Sequence, residues 1–337
     1  MIERCFWTET TDRFVPRPAE LPERTDVAIV GGGYTGVAAA RALGRHGANV
    51  TVLERETVGW GASTRNGGFV LPGFKLGAEE LLVRFGPDRA RALFQQARDS
   101  VLFLESVIAE EGIACDYARC GHLSAAAKPS HFRAMEHDRR VLAGEFGHQT
   151  EIISPAELHT ELGSDRFHGG LLDPFAGSVH PAKLFAGLAA AAAKAGARLL
   201  EGTEVLGIRG SHGSFEVTTS RGKLAAGEVL IATNGYGGAV HPDLLRRVIP
   251  IGSYIIATAP LDQAMADRLI PKRRVVNDTL NHLVYFRLSP DRRMIFGGRA
   301  SFTPTPPVPR SCLATAPPGF TVKKIKGSRM INANRPR

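Results

Sequence analysis

The sequence predicts an α/β protein with two parts, a parallel sheet flanked by helices and an α+β part with a mainly antiparallel sheet. The first part follows from residues 26–54, which read as strand, tight turn, helix and strand. Its first strand, Val27 to Val30, is a continuous apolar run of the kind buried on both faces of a sheet. The second part follows from three strand-like segments within residues 247–301, the last two separated by the hairpin signal SPDR.

Composition and charge narrow the function classes. The chain has 337 residues, of which 43% are hydrophobic and 22% charged, enough for one large or two ordinary domains. Most of the net charge of +9 comes from residues 301–337, which contain seven basic residues and no acidic ones. The rest of the chain is nearly neutral, so its charge gives no support for a nucleic-acid partner.

Targeting and metal signals are weak. No apolar stretch is long enough to span a membrane, and the N-terminal letters MIERCFWTET lack the apolar core of a secretory signal. The four cysteines fit neither a metal-ligand spacing nor a disulfide framework. We therefore expect a cytoplasmic protein without a metal site or an integral membrane segment.

The order of elements predicts a discontinuous organisation. Residues 1–85 and 150–240 are expected to form the nucleotide-binding domain, and residues 86–149 and 241–303 the second domain. The pattern is helical from Ala78 to Gly112, and the Gly- and Pro-rich residues 169–184 read as a loop. Residues 304–337 form a Pro-rich basic tail that we expect to be mostly disordered.

A glycine-rich turn follows the first strand. Gly31, Gly33 and Gly36 fit the G-x-G-x-x-G pattern of a Rossmann-like domain, in which they allow a tight turn, approach to a pyrophosphate and close helix packing. The helix N-terminus then offers free N–H groups to phosphate. Glu54, 18 residues after Gly36 at the end of the second strand, is placed to accept hydrogen bonds from a ribose diol. An acid there also argues against NADP.

A second loop of small residues, GWGASTRNGG at residues 59–68, distinguishes between cofactors. An NAD-binding domain generally needs only the first turn and the acid. Small side chains and bare main chain in a second loop suit a bulky flat ring, which favours FAD. A flexible surface loop is the structural alternative, and an NAD-dependent dehydrogenase the functional one.

Five segments follow one another in the order DVAIVGGGYTGVAAARAL, ERETVGWGASTRNGG, SVHPAKL, GTEV and VLIATNGY. Together and in this order they resemble the FAD-dependent D-amino-acid-oxidase/glycine-oxidase superfamily, and within it the gamma-glutamylputrescine oxidoreductase-like amine oxidases. The resemblance extends from about Phe6 to about Thr303. It implies a glutathione-reductase-type FAD-binding domain joined to an α+β substrate domain.

The resemblance also implies cofactor contacts. The first turn would hold the pyrophosphate, Glu54 the adenosine ribose and Arg55 the adenine side. The second loop would approach the ribityl chain and the flavin. The cofactor-binding residues implied are Gly31, Gly33, Thr35, Gly36, Glu54, Arg55, Ser63, Asn66, Gly67, Gly68, Val205, Thr233 and Asn234. For Val205 a plain core position is an equal alternative. His180, in a loop before a helix, is expected to be a cap or a solvated side chain rather than a pocket residue.

The reaction implied is oxidation of a primary or secondary amine, such as gamma-glutamylputrescine, in polyamine catabolism. Hydride passes from the amine carbon to flavin N5, the imine hydrolyses, and oxygen reoxidises the flavin with release of peroxide. No protein base is required if the amine binds deprotonated, so no catalytic residue is assigned. The partners implied are a small-molecule amine and oxygen.

The hairpin NHLVYFRLSPDRRMIFGGR resembles the family's substrate sheet. Tyr285 and Arg287 lie on one face of its first strand by alternation, and Arg287 would pair with a substrate carboxylate. A core tyrosine and a surface arginine are the structural alternatives.

After this hairpin the sequence departs from the family. No segment matches the family's further glycine-rich stretch, and the Pro-rich basic tail takes its place. A truncated flavin-binding fragment without turnover is therefore an alternative function, and weak retention of FAD is expected.

Overall fold

The computed structural model describes residues 2–237, 240, 242–248, 252–301 and 313–315. Its α-helices are α1 Phe6–Glu9, α2 Tyr34–Arg45, α3 Ala78–Phe85, α4 Pro87–Glu110, α5 Pro129–Phe146, α6 Pro181–Lys194, α7 Pro242–Arg247 and α8 Gln263–Leu269. Its strands are β1 Ile2–Glu3, β2 Arg24–Val30, β3 Val50–Leu53, β4 Phe69–Val70, β5 His122–Ala125, β6 Glu151–Ile153, β7 Gly170–Asp173, β8 Gly177–Ser178, β9 Arg198–Leu200, β10 Val205–Ser211, β11 Ser214–Thr219, β12 Gly222–Ile231, β13 Gly252–Ala257, β14 Val275–Asp278, β15 Tyr285–Leu288, β16 Met294–Ser301 and β17 Leu313–Thr315. Short 3-10 helices cover Ala62–Thr64, Leu158–Thr160 and Asn234–Tyr236.

The first sheet has six strands in the order β10-β11-β12-β2-β3-β9. The four strands from β12 to β9 pair in parallel, and β10 and β11 extend the sheet as an antiparallel hairpin. Helices α2 and α6 pack closely, since a Cβ added at Gly44 would lie 2.5 Å from the Ala195 carbonyl oxygen. This is the predicted parallel sheet, built from two separated stretches of sequence.

The second sheet has nine strands in the order β1-β17-β13-β16-β15-β14-β5-β7-β6. Most of its pairs are antiparallel, and β13–β17 and β14–β5 are parallel. The predicted hairpin is present, with Tyr285 opposite Gly297. The α/β class with a mainly antiparallel second sheet is therefore confirmed.

Two predicted elements are wrong in detail. The helix expected from Ala78 to Gly112 is two helices, because Gly86 adopts a φ of 75° and Pro87 begins α4. The loop expected at residues 169–184 contains β7 and β8, where strand pairing overrides the glycine signal.

The stretches of sequence that form each sheet also differ from the predicted ranges. Strands β6 and β7 lie within residues 150–240 but belong to the second sheet, because β7 pairs with β5 and β6 pairs with β7. Three residues of the expected disordered tail, Leu313–Thr315, form β17 between β1 and β13. The other residues of 304–337 lie outside the described part of the chain.

Candidate cofactor-binding site

The first glycine turn joins β2 to α2 in a conformation that needs glycine. Gly31 has a φ of 107°, and a Cβ there would lie 2.7 Å from the Ala232 carbonyl oxygen. A Cβ on Gly36 would lie 2.0 Å from the Gly31 carbonyl oxygen, so Gly36 allows the close helix–strand contact. The N-cap of α2 is Gly33, which has no side chain to cover the helix N–H groups. The turn thus exposes main chain where a phosphate binds in this class of domain.

Glu54 leaves the end of β3 and turns back onto the first turn. Its Oε2 accepts a hydrogen bond of 2.7 Å from the Gly32 N–H, and its Oε1 accepts one of 2.9 Å from the Glu56 N–H. These bonds hold the carboxylate at the edge of the cleft beside the turn. Arg55 is half-exposed and forms ion pairs of 3.4 Å with Glu56 and 3.9 Å with Glu204.

The second loop contacts the first directly. Ser63 Oγ accepts a hydrogen bond of 2.9 Å from the Tyr34 N–H, the first amide of α2. A Cβ on Gly33 would lie 3.0 Å from that same oxygen. The hydroxyl therefore supplies the cap that Gly33 lacks, and the two loops form one continuous wall.

Asn66 fixes the second loop from within. Its Nδ2 donates to the carbonyl oxygens of Ala62 and Ser63 at 3.2 and 3.0 Å, and its Oδ1 accepts from the Gly68 N–H at 2.8 Å. The sequence predicted a flexible run of small residues as one alternative. The structure has instead a loop with defined internal hydrogen bonds.

Both loops open into one cleft with a volume of about 540 Å³. The predicted cofactor residues that line it are Gly31, Gly33, Thr35, Glu54, Arg55, Ser63, Asn66, Val205, Thr233 and Asn234. For Val205 the alternatives were a core position and a cofactor contact. The residue is buried in an apolar cluster and also lines the cleft, so its position is consistent with both. The cleft therefore brings together the ends of β2, β3 and β12 with the start of β10.

Five of the predicted site residues do not line this cleft: Gly36, Gly67, Gly68, Tyr285 and Arg287. Four of these meet at the far end of the second loop. A Cβ on Gly67 would lie 2.9 Å from the Tyr285 ring, and the Arg287 Nη1 donates to the Gly68 carbonyl oxygen at 3.0 Å. The strand alternation that placed Tyr285 and Arg287 on one face is thus consistent with their contacts.

Arg287 is not the surface residue that one alternative predicted. It is 3% exposed, and its guanidinium carbon lies 5.1 Å from the centroid of the Trp7 ring. Burial lowers the pKa of Arg287 to about 10, so it stays charged at neutral pH. Its Nε has no hydrogen-bond partner among the described residues.

His180 is a helix cap, as one alternative predicted. Its Nδ1 accepts a hydrogen bond of 3.2 Å from the Lys183 N–H at the start of α6. Its Nε2 then donates to Thr10 Oγ1 at 3.0 Å, which fixes the tautomer. Burial, and next the nearby Lys183 charge, lower the pKa of His180 to about 4.

Sequence reasoning missed several residues of the cleft. Trp60 and Tyr236 both line it and contact each other edge to face, with ring centroids 5.9 Å apart. Tyr34 lines the cleft too, and burial raises the pKa of its hydroxyl, which donates to the Pro181 carbonyl oxygen at 2.8 Å. The signal was present, since Tyr34, Trp60 and Tyr236 all lie inside segments that carry the family resemblance.

Two classes of site find no support in the described ranges. No group of three or more His, Cys, Asp or Glu residues there is arranged to hold a metal ion. None of the helices in those ranges is both long and apolar enough to cross a bilayer. The cleft has the construction of a dinucleotide site, with bare main chain, a helix N-terminus and one acid.

The fold and the cleft are those of a dinucleotide-binding protein, and comparison with known proteins assigns the family. The DAO family profile, described as FAD dependent oxidoreductase, matches residues 26–318. The chain belongs to this family, whose cofactor is FAD, and the NAD-dependent alternative is wrong. The match also continues past Thr303, where the resemblance in the motifs was expected to end.

Three similar proteins illustrate the family. The chain is 36% identical over 303 residues to the probable oxidoreductase OrdL of Rhizobium meliloti, covering 88% of this chain and 69% of the relative. It is 34% identical over 274 residues to gamma-glutamylputrescine oxidoreductase of Escherichia coli, covering 81% and 64%. The crystal structure of glycine oxidase from Geobacillus kaustophilus superposes with a TM-score of 0.65 at 25% identity, covering 83% of this chain and 72% of that one. The chain thus spans about two thirds to three quarters of each.

Proposed function

We propose that this chain uses FAD to oxidise a primary or secondary amine, with gamma-glutamylputrescine or a related amine as substrate and oxygen as electron acceptor. The relative named for gamma-glutamylputrescine supports the substrate class. The observation that carries the cofactor site is the hydrogen bond of 2.9 Å between Ser63 Oγ and the Tyr34 N–H, because it joins the two glycine-rich loops into one cleft.

The residues of the cleft fit FAD. The first turn has a glycine whose Cβ would strike the neighbouring strand, and the helix that follows has no capping side chain of its own. Gly31, Gly33 and the N–H of Thr35 would hold the pyrophosphate, and Glu54 the adenosine ribose. Arg55 and Val205 would bound the adenine, and Thr233 and Asn234 would close over the dinucleotide. When bound, FAD supplies the two-electron acceptor for amine oxidation.

The substrate end is proposed at the face of the second sheet beside Gly67. Tyr285 lies there, its ring 5.7 Å from Phe69 between centroids. Asn277 is its cross-strand neighbour on the same face. His122 joins this row through its Nε2, which contacts Asn277 Oδ1, and burial lowers the pKa of this histidine. A neutral polar row suits recognition of an amine by hydrogen bonds rather than by charge.

The first experiment is a visible absorption spectrum of the purified chain, followed by peroxide assays. We expect a flavin band after incubation with FAD, and peroxide on addition of gamma-glutamylputrescine in preference to putrescine, glycine or sarcosine. A flavin band without peroxide from any amine would favour the inactive-fragment alternative. Absence of any flavin binding would contradict the proposal outright.

A substitution at Gly33 tests where the pyrophosphate binds. Gly33→Glu places a carboxylate where the phosphates are expected, beside Ser63 Oγ, so both the flavin band and turnover should be lost. Gly144→Glu is the matched control, because Gly144 lies exposed in α5 with open space around it. Retention of the flavin band in Gly33→Glu would mean that the pyrophosphate binds elsewhere.

A further inference from the structure

The back of the second loop is held by side chains from distant parts of the chain. Alternate carbonyl groups of this loop each accept a hydrogen bond from outside it. Cys5 Sγ donates to the Thr64 carbonyl oxygen at 3.5 Å, and Trp7 Nε1 donates to the Asn66 carbonyl oxygen at 2.9 Å. The N-terminal segment around α1 therefore lies behind the loop and turns these carbonyls away from the cleft.

The third carbonyl of the series is that of Gly68. It accepts from Arg287 Nη1 at 3.0 Å and from the Val179 N–H at 2.8 Å. Arg287 also lies over the Trp7 ring, so the two donors contact each other. The second sheet and the N-terminal segment together form one support beneath the loop.

We call the side of the second loop opposite these donors its front. The Gly68 N–H is used by Asn66 Oδ1, but among the described residues the Gly67 N–H has no hydrogen-bond partner. Gly67 is partly accessible at the far end of the loop from Ser63. Holding the flanking carbonyls on the back leaves this amide available to a ligand on the front.

Burying the Arg287 guanidinium to hold one carbonyl group costs folding free energy. In the described part of the chain no carboxylate forms an ion pair with it, since Asp116 acts on it only through space and is itself paired with Lys183. The Arg287 Nε makes no hydrogen bond. A buried charge without an opposite charge lowers stability, and a well-packed apolar replacement is often neutral or stabilising. Folding alone therefore does not account for this arginine.

Arg41 shows how the same chain buries an arginine for structure. It is 6% exposed, and its guanidinium donates to Glu110 and Glu111 at 2.7 Å each. These contacts join α2 to the end of α4. The contrast between the two buried arginines marks Arg287 as the unusual one.

We propose that Arg287 is a positioning residue for the flavin cofactor. It holds the Gly68 carbonyl and packs on Trp7, the donor to the Asn66 carbonyl, whose peptide carries the Gly67 N–H on its opposite side. The loop therefore presents this amide to bound FAD, and the positive charge of Arg287 favours an anionic cofactor above the loop. This role replaces the predicted pairing of Arg287 with a substrate carboxylate.

The test compares Arg287→Met, Arg287→Lys and the control Arg41→Met in the full chain. FAD affinity is measured by quenching of flavin fluorescence, and stability of the FAD-free chain by its urea midpoint. Arg287→Met should weaken FAD binding about tenfold or more while leaving the urea midpoint unchanged or higher. Arg287→Lys should recover part of the affinity. Arg41→Met should lower the midpoint and leave the FAD affinity within about twofold.

Three results would overturn the proposal. A parallel fall in FAD affinity and urea midpoint in Arg287→Met would show a merely structural residue. An unchanged FAD affinity with a raised KM for a carboxylate-bearing amine, but not for putrescine, would restore the substrate-carboxylate role. A wild-type chain that binds no FAD would contradict the proposal together with the assigned cofactor site.

Discussion

The two glycine-rich loops of the cleft are held in different ways. The first, residues 31–36, takes its shape from its own backbone, with Gly31 at positive φ and Gly36 packed on the Gly31 carbonyl. The second, residues 59–68, is held by donors from α1 and β15. A local motif thus shapes the proposed phosphate end of the site, whereas tertiary structure shapes the proposed flavin end.

Because of this difference, we expect the two loops to tolerate substitutions unequally. The first loop has no space for a methyl group at its critical position, so a small change there strains the whole strand–turn–helix unit. The second loop depends on individual hydrogen bonds, each of which contributes modestly. Substitutions in the first loop should therefore cost more stability than those behind the second.

The largest effect is expected for Gly36→Ala. The new Cβ would lie 2.0 Å from the Gly31 carbonyl oxygen, so main chain must move. We expect the free energy of unfolding to fall by about 3 kcal/mol or more, measured by urea denaturation. Gly144→Ala is the matched control, because Gly144 sits in a helix with open space around it. That control should be neutral or stabilising by up to about 1 kcal/mol. Equal effects of the two variants would remove the distinction between the loops.

The same difference explains what the sequence could predict. The first turn and Glu54 lie where the sequence predicted, at the ends of β2 and β3, because the contacts of Gly36 with Gly31 and of Glu54 with Gly32 fall within one strand–turn–helix–strand stretch. The packing of Gly31 on Ala232 is long-range and was not predicted. The existence of the second loop was also predicted. Its support was not, because Arg287 is 219 residues from its partner Gly68 and a strand pattern gives a side chain's face but not what covers that face.

Two predictions of secondary structure were also wrong in detail. The break between α3 and α4 had a Gly-Pro signal at Gly86, but the continuous apolar stripe outweighed it. Strands β7 and β8 lie in a stretch whose glycines and prolines favour a loop, and only their pairing with β5 and β4 makes them strands. Long-range pairing of this kind leaves little trace in a single sequence.

The second-largest effect is a loss of stability at low pH, which we expect from His180 in the segment that supports the second loop. Val179 donates to the Gly68 carbonyl, and the next residue, His180, lies against Trp7 with ring centroids 4.7 Å apart. His180 has a folded-state pKa of about 4 against an ordinary value of 6.5. As the pH falls below 6.5, the His180 side chain binds a proton in the unfolded chain but stays neutral in the folded chain. Stability should therefore be lost between about pH 6.5 and pH 4, by about 3 kcal/mol from this residue.

His180→Asn tests this expectation. Asparagine is a good N-cap that accepts from the Lys183 N–H without titrating. The variant should lose less unfolding free energy than the wild type between pH 7 and pH 4.5, measured by urea denaturation at each pH. Identical pH profiles for the two proteins would mean that His180 does not titrate in this way.

A smaller effect is expected for Trp7→Phe. The side chain is fully buried, and the change removes the donor to the Asn66 carbonyl oxygen and leaves a void. We expect a loss of about 2 kcal/mol in unfolding free energy. Trp60→Phe is the matched control, since Trp60 lines the open cleft and is only partly buried. If both variants lost the same stability, the N-terminal segment would not be a support for the second loop.

The smallest effect is expected for Ser63→Ala, which removes a side-chain contact between the two loops and leaves the backbone bond of 2.9 Å from the Gly59 N–H to the Gly32 carbonyl oxygen in place. Loss of the oxygen leaves the first amide of α2, the Tyr34 N–H, without its cap. The expected loss is about 1 kcal/mol, or roughly fivefold in FAD affinity if the cap also sets the distance between the loops. Ser106→Ala, on the exposed face of α4, removes a hydroxyl bonded within its own helix and serves as the control. FAD affinities that change equally little in both variants would show that the Ser63 hydroxyl does not set the distance between the loops, and that the backbone bond between Gly59 and Gly32 is enough to join them.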